Sequence, residues 1–157
     1  MAARPDHGHH RLRIGRYSAP GFAYHVTFST RDRRPVFHCF EAARLLIRSM
    51  RFADSAGWSR TFAFVVMPDH AHWLFALGQT KPMSQMIQSV KKYTSRQMAR
   101  RGLASRPVWD AGYFDHAIRK HEDLVAVSRY IVANPLRAGL CREIGDYPHW
   151  DAVWLAR

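Results

Sequence analysis

Two apolar segments separated by a proline-aspartate pair constrain the fold most strongly. Residues 61–67 (TFAFVVM) are rich in aromatic and β-branched side chains, which predicts a strand. Pro68-Asp69 predicts a short turn, and residues 70–77 (HAHWLFAL) predict a second strand, so the two segments together predict a β-hairpin. Because side chains alternate along a strand, we expect His70 and His72 on the same face of the hairpin.

Strand and helix patterns alternate along the rest of the chain. Residues 23–29 (AYHVTFS) alternate in polarity, as a half-buried strand does. Apolar residues at helical spacing, with flanking glycine or proline, predict helices at about 41–56 and 82–101. Residues 108–118 predict a loop and a strand, and residues 121–135 predict a final helix that ends at its Asn-Pro pair.

The order of these elements is strand, helix, strand, strand, helix, strand, helix. This order predicts an α+β fold, in which a ferredoxin-like, split β-α-β antiparallel sheet carries helices on one face. The final helix is an addition to that arrangement, and it carries Tyr130. We expect a single domain at residues 17–157, preceded by a flexible basic arm at residues 1–16.

Composition and cysteine usage narrow the class of protein. The chain has 157 residues, of which 47% are hydrophobic, enough to form one compact core. No apolar run is long enough to cross a bilayer, and the first residues lack the apolar block of a secretory signal. Cys39 and Cys141 lack the spacing of a disulfide framework or a thiolate metal site. We therefore expect a cytoplasmic protein without a membrane partner.

An excess of positive charge indicates a polyanionic partner. Lysine and arginine number 24 against 12 acidic residues, which gives a net charge of +12 and a pI near 10.7. Such charges repel one another in the folded state, and their usual role is to neutralise phosphates, which releases condensed counterions. An arginine-rich excess favours bidentate phosphate contacts. The alternative is a basic protein whose charge serves only solubility.

The histidine pair and the final helix together suggest a metal-dependent site. Two imidazoles on one face of a strand can bind the same divalent ion, but the site needs a further ligand. Tyr130 and Asn134 are four residues apart and are expected on one helix face. The Asn134 amide oxygen would complete the coordination, and the Tyr130 phenol would attack a polarised phosphate. Taken singly, each of these residues also fits a purely structural role.

Tyr93 competes with Tyr130 for the role of nucleophile. It lies in a basic segment (KKYTSRQ) of the second predicted helix, and Gln97 follows four residues later. Tyr93 and Gln97 therefore have the same spacing as Tyr130 and Asn134. The residues alone do not decide between the two tyrosines.

Three co-linear segments resemble one known family. In this order and spacing, VVMPDHAHWLF, WDAGYFDHAIR and RYIVANPLRAGL resemble the REP-associated tyrosine transposases, which are single-tyrosine HUH transposases of the insertion-sequence type. HUH denotes two histidines around a hydrophobic residue, and Ala71 occupies the middle position here. RDRRPVF and YPHW are also similar to the family, and the resemblance extends from about Arg16 to Trp150.

The resemblance implies a function and assigns site residues. The metal-binding histidines of the family correspond to His70 and His72, its nucleophile to Tyr130, and its third metal ligand to Asn134. The implied activity is that of a DNA endonuclease and strand transferase acting on single-stranded or hairpin DNA, particularly short palindromic repeats of bacterial genomes. Cleavage would leave a 5′-phosphotyrosine and a free 3′-hydroxyl, with Mg²⁺ or Mn²⁺ as cofactor. The resemblance also favours Tyr130 over Tyr93, a nucleoid-associated location, and a monomer or homodimer.

Basic residues and one histidine are predicted to contact DNA. In the family, the first segment helps to read a short guide sequence beside the hairpin, and the resemblance implies this role for the arm and for the loop after the first strand. The second predicted helix is expected to hold the DNA backbone without reading its sequence. The predicted DNA-binding residues are Arg11, Arg13, Arg16, Arg31, Arg33, Arg34, Lys91, Lys92, Arg96 and His116.

Two other functions fit the same residues. One is a non-catalytic protein that binds DNA or RNA hairpins on the same fold. The other is a Zn²⁺ hydrolase, in which water rather than tyrosine attacks the substrate. Of the three functions, only the tyrosine enzyme forms a covalent protein–DNA adduct, so this product distinguishes it from the other two.

Overall fold

A computed structural model of the chain describes residues 19–119 and 122–154. Within these residues, five strands and four α-helices are present. They are β1 (Ala23–Ser29), α1 (Phe40–Ser55), β2 (Ser59–Val66), β3 (His70–Leu77), α2 (Met83–Arg100), β4 (Phe114–Ala117), α3 (Leu124–Val132), α4 (Asn134–Arg137) and β5 (Trp150–Ala152). In this part of the chain, no helix is both long and apolar enough to cross a membrane.

The five strands form one antiparallel sheet in the order β4-β1-β3-β2-β5. β3 follows β2 directly along the chain and lies between β1 and β2 in the sheet. The predicted α+β class, the antiparallel sheet and the β2–β3 hairpin are confirmed. The sequence patterns do not predict β5, a three-residue edge strand whose pairing with β2 brings together distant parts of the chain. The predicted arm at residues 1–16 lies outside the described residues.

One face of the sheet, called the helical face below, is covered by α1 and α2. Alternate residues of β1 and β3 point to this face, among them Phe28, Trp73 and Phe75, which are almost completely buried. The two helices contribute apolar side chains at helical spacing, such as Leu46 and Ile87. The largest hydrophobic core of the described residues therefore lies between the sheet and these two helices.

The opposite face, called the histidine face below, carries a smaller core and several polar side chains. Val65, Leu74 and Ile131 belong to this smaller core, and Ile131 is a residue of α3. α3 therefore packs on the sheet from the side opposite α1 and α2. His70 and His72 alternate with the buried residues of β3 and lie on the histidine face. The additional C-terminal helix expected from the sequence is present there.

The C-terminal helical segment is divided into two parts. α3 ends at Val132, as the Asn-Pro pair after it predicts, but α4 then begins at Asn134 with Pro135 in its first turn. Proline fits that position because the first turn of a helix needs no hydrogen bond from its backbone nitrogen. Tyr130 and Asn134 therefore belong to successive helices rather than to one continuous helix.

Candidate active site

His70 and His72 lie side by side on the histidine face of β3. The antiparallel register places Ser29 opposite His70 and Thr27 opposite His72. The centroids of the two imidazole rings are 5.0 Å apart, and the ring planes are inclined by 80°. Both residues are partly buried. The structure thus brings the two predicted imidazoles together.

Asp69 orients the ring of His70. The Nδ1 atom of His70 is 2.7 Å from Asp69 Oδ1, and Arg33 Nε is 3.2 Å from Asp69 Oδ2. A carboxylate at Nδ1 holds the ring proton on that nitrogen, which leaves the Nε2 lone pair available for a metal. Arg33 also donates to Ser29 Oγ at 2.8 Å. These contacts fasten the loop after β1 to the start of β3.

His25 and Thr27, on the neighbouring strand β1, contact the ring of His72. The Nδ1 atom of His72 is 2.9 Å from His25 Nε2 and 3.1 Å from Thr27 Oγ1. For His72 to bind a metal through Nε2, its Nδ1 must carry the proton and donate it to one of these two acceptors. When His25 Nε2 is the acceptor, His25 carries its own proton on Nδ1.

Burial keeps the side chains of His25 and His72 neutral. Desolvation lowers the pKa of His72 to about 3, with smaller contributions from neighbouring histidine and arginine side chains. Desolvation, followed by the effect of His116, lowers the pKa of His25 to about 4. Because an imidazole binds a metal in its neutral form, His72 can serve as a ligand near neutral pH without first losing a proton.

The histidine pair needs a further ligand to hold a metal ion. In the ranges 19–119 and 122–154, no three histidine, cysteine, aspartate or glutamate side chains form a group that could hold a metal ion. Asn134 Nδ2 donates to Ile131 O at 2.8 Å, which leaves the amide oxygen available for another partner. Two imidazoles and an amide oxygen fit a divalent ion if substrate oxygens or water complete its coordination. Coordination by Asn134 stays a prediction.

Arg137 contacts Tyr130, and its charge acts on His72. Tyr130 is 60% exposed on α3, and the Arg137 guanidinium lies over its ring, with Cζ 4.1 Å from the centroid. Arg137 also donates from Nη2 to Tyr130 O at 2.8 Å. The charge of Arg137 contributes to the lowered pKa of His72. The structure thus brings Tyr130 to the histidine face.

Tyr93 lies on the other side of the sheet. It belongs to α2, which packs on the helical face through residues such as Ile87 and Val90. The sheet therefore separates Tyr93 from the histidine pair. This position favours Tyr130 as the tyrosine that acts together with a metal at the two imidazoles.

Two of the predicted DNA-binding side chains are held by backbone carbonyls. Lys91 Nζ donates to Asp110 O at 2.8 Å and to Gly112 O at 2.9 Å. Arg34 donates through Nη2 to Pro107 O and through Nε to a carbonyl of its own loop. Both cations stabilise the local fold, and a phosphate contact would be an additional role for each of them.

His116 lies at the edge of the histidine face. It is paired with His25 in the β1–β4 register, and its Nε2 atom is 3.0 Å from Glu122 Oε1. Its side chain is half exposed. This contact orients His116 beside His25. The predicted contact of His116 with DNA would use the exposed part of its side chain.

The other predicted DNA-binding residues differ in whether their charges are paired with an acidic side chain. Arg31, Lys92 and Arg96 are exposed and form no ion pair with any residue that the structure describes. Their charges are therefore available to phosphates, whereas Arg33 is paired with Asp69. Arg11, Arg13 and Arg16 lie outside the described residues. Contact with DNA stays a prediction for all these residues.

Sequence reasoning did not single out four side chains of this site. They are His25, Thr27, Asp69 and Arg137. His25 and Thr27 occupy alternate positions of β1, so the polar positions of two predicted strands were the available signal. Asp69 directly precedes His70, which was a second signal. Arg137 has no comparable signal, because its contact with Tyr130 depends on the junction between α3 and α4.

Known proteins are similar to this chain in sequence and in fold. The family model described as "Transposase IS200 like" matches residues 18–134. The REP-associated tyrosine transposase of Escherichia coli (strain K12) is 24% identical over 140 residues, which cover 85% of this chain and 78% of that protein. A solved structure of a REP-associated tyrosine transposase bound to a REP hairpin has a TM-score of 0.73 and 23% identity to this chain, and the match covers 86% of this chain and 79% of that one.

The family match includes the proposed nucleophile and the three proposed metal ligands. Residues 18–134 contain the histidine pair, Tyr130 and Asn134, and they form most of the chain. The resemblance to REP-associated tyrosine transposases, indicated by the three sequence segments, is confirmed by the family model and by the E. coli relative. The chain belongs to the IS200-like transposase family.

Proposed function

We propose that the chain is a transposase of the REP-associated type, which cleaves and joins single-stranded or hairpin DNA through a 5′-phosphotyrosine intermediate. The observation that carries this proposal is the packing of α3, the helix of Tyr130, on the face of the sheet that carries His70 and His72. A candidate nucleophile and a candidate metal pair therefore belong to elements on the same face of the sheet. The REP hairpin bound by the solved relative and the net charge of +12 support DNA as the substrate.

Tyr130 supplies the nucleophile of the proposed reaction. Its phenolic oxygen forms a bond to the phosphorus of the scissile phosphodiester, and the bond from phosphorus to the 3′ oxygen of the preceding nucleotide breaks. The phenol releases its proton to solvent, and the departing oxygen takes up a proton to become a free 3′-hydroxyl. A second 3′-hydroxyl can attack the phosphotyrosine and reverse these changes, which joins two strands without an external energy source.

The two imidazoles would hold the divalent cation, Mn²⁺ or Mg²⁺. His70 and His72 would bind it through Nε2, with Asn134 Oδ1 as a further ligand. When bound, such a cation polarises a phosphate oxygen and orients the scissile bond. Asp69 would accept the Nδ1 proton of His70, and His25 or Thr27 would accept that of His72, which leaves both Nε2 lone pairs to the cation.

Arg137 orients the nucleophile in this proposal. Its guanidinium covers one face of the Tyr130 ring and limits the rotation of that side chain. Its hydrogen bond to Tyr130 O ties α4 to α3. Arg137 is itself exposed, so the remaining donors of its planar fork would contact a phosphate beside the phenol.

The test of the proposal is the detection of a covalent adduct. The chain is incubated with labelled hairpin DNA and Mn²⁺, denatured and separated by gel electrophoresis, and the linked peptide is mapped by mass spectrometry. We expect an adduct at Tyr130, because its phenol is the proposed nucleophile. Tyr130→Phe should abolish this adduct, and the matched variant Tyr93→Phe should leave it intact.

The other outcomes identify the alternatives. An adduct that persists in Tyr130→Phe and vanishes in Tyr93→Phe would overturn the choice of nucleophile. DNA binding without any adduct would support a non-catalytic hairpin-binding protein. Cleaved DNA without a protein-linked species would support a hydrolase that activates water.

A further inference from the structure

We propose that a groove between α1 and α2, on the helical face, binds unpaired nucleotides of single-stranded nucleic acid. The groove has a volume of about 510 Å³, and its walls are formed by Arg48 and Phe52 of α1 and Tyr93 of α2. Trp58, just after α1, closes one end. This surface, called the helix groove below, lies across the sheet from the histidine pair.

Two aromatic rings are exposed at the helix groove. Phe52 is 59% exposed and Tyr93 is 47% exposed, on opposite walls. Trp58 supports Phe52 by an edge-to-face contact, with ring centroids 5.4 Å apart and planes inclined by 83°. Exposed rings of this kind are stacking platforms for unpaired bases, because every base presents a π face. A base pair within a duplex does not offer that face, so the groove favours unpaired nucleotides.

The charges around the helix groove have one sign. Arg48 lines the groove, and Arg96 and Arg100, three and seven residues after Tyr93, are exposed on the same side of α2. None of these three cations forms an ion pair with a residue that the structure describes. Their mutual repulsion is relieved by a polyanion, and a nucleic-acid backbone next to the stacked bases supplies it.

The acidic residues of α1 do not compensate this charge. Glu41 pairs with Arg101 at 2.7 Å. The carboxylate of Asp54 accepts hydrogen bonds from Ser59 and Thr61, at distances of 2.6 to 3.2 Å. An acidic peptide would satisfy the cations equally well but would leave the two exposed rings without partners of matching shape. Nucleic acid is therefore the occupant that fits both features.

The helix groove offers little to read a base sequence. Ser49 Oγ at its floor donates to Val90 O at 3.4 Å, and the remaining surface is mainly apolar. Stacking and phosphate contacts tolerate any base, so we expect binding without sequence preference. This binding does not depend on the proposed chemistry at Tyr130, which lies on the other face.

The experiment measures the affinity for a fluorescent oligothymidylate by fluorescence anisotropy. Phe52→Ala and Tyr93→Ala should each weaken binding roughly tenfold, because each removes one stacking platform. Tyr93→Phe should bind like the unchanged chain, since stacking needs the ring and not the hydroxyl. Phe22→Ala is the matched control, because Phe22 is 58% exposed but lies away from the groove. Circular dichroism melting verifies that each variant folds.

A second measurement uses the unchanged chain and therefore does not depend on whether the variants fold. The unchanged chain is photo-crosslinked to an oligonucleotide containing 4-thiothymidine, and a crosslink at Phe52, Trp58 or Tyr93 is expected. Equal affinity of the folded Phe52→Ala/Tyr93→Ala variant and the unchanged chain would overturn the proposal, as would crosslinks confined to the histidine face or a preference for duplex DNA. The adduct is mapped to Tyr130 and the crosslinks to the helix groove, so loss of the adduct and loss of groove binding are separate outcomes.

Discussion

The two faces of β3 show how one strand serves two different purposes. On the helical face, Ala71, Trp73 and Phe75 are completely buried under α1 and α2. On the histidine face, His70 and His72 are only partly buried and have polar partners. On the helical face, burial of apolar surface stabilises the fold. On the histidine face, the cost of desolvation keeps the imidazoles of His25 and His72 neutral. Stability and chemistry are therefore assigned to alternate residues.

The largest expected effect separates two residues on opposite faces of β3. His70→Ala should reduce adduct formation by roughly a thousandfold or more, because it removes a proposed ligand of the metal that assists the nucleophile. DNA affinity and stability should change little. Trp73→Ala should instead lower the free energy of unfolding by about 3–5 kcal/mol, because it leaves a cavity in the main core. Adduct assays, DNA binding and urea denaturation of both variants measure the contrast.

A failure of this contrast would be informative. If His70→Ala lowered DNA affinity and unfolding free energy as much as adduct formation, His70 would be a structural residue. The division of labour between the two faces of β3 would then be wrong.

The next effect concerns the carboxylate that supports His70. Asp69→Asn should weaken Mn²⁺ binding by about 10- to 100-fold, because an amide orients the Nδ1 proton less firmly and makes the imidazole a poorer ligand. Titration calorimetry with Mn²⁺ measures the change. Glu41→Gln is the matched control, since Glu41 is an exposed, ion-paired carboxylate of α1, on the helical face of the sheet. Equal affinities of the two variants would remove Asp69 from the site.

The histidine face should also make stability depend on pH. The pKa of His25 is about 4 in the folded chain and about 6.5 when unfolded. Between these values the unfolded chain binds the extra proton, so the free energy of unfolding should fall as the pH is lowered from about 6.5 towards 4. Between pH 7 and pH 5 the contribution of His25 is at most about 2 kcal/mol, since its side chain keeps some contact with water.

Urea denaturation at pH 7 and pH 5, in the presence of a chelator, measures this pH dependence. His25→Gln should reduce the difference between the two pH values, because glutamine keeps a hydrogen-bonding group but does not titrate. Phe28→Leu, on the helical face of the same strand, should lower stability by a similar amount at both pH values. An unchanged pH dependence in His25→Gln would show that this histidine is not the source.

The smallest expected effect is that of Arg137. Arg137→Ala should slow adduct formation about three- to tenfold at saturating DNA, because the Tyr130 ring loses the guanidinium that covers it. Arg137→Lys should restore only part of the rate, since an ammonium keeps the charge but lacks the planar stacking surface. Arg129→Ala, an exposed position on α3 next to Tyr130 in sequence, is the control for lost charge. Single-turnover kinetics separate these rates from changes in DNA affinity.

Local patterns predicted the parts of the molecule that depend on local chain geometry. The alternation around His70 and His72 gives their common face, and helical spacing gives α1 and α2. The contact of His25 with His72 follows from the register between β1 and β3, which joins residues 47 apart and which no local pattern encodes. For the same reason, nothing in the sequence placed Tyr93 on the opposite face from the histidine pair.

The hairpin between β2 and β3 limits how the chain can change length. One residue added or removed at the start of β3, with the length of the turn kept, would shift the register by one and turn every following side chain of β3 to the opposite face. The indole of Trp73 would meet solvent, and both imidazoles would enter the apolar interior. Insertions within the strand must therefore come in even numbers or be absorbed by an irregularity such as the one in β2 near Thr61 and Ala63. The burial of Trp73 on one face of β3 thus fixes His70 and His72 on the other face.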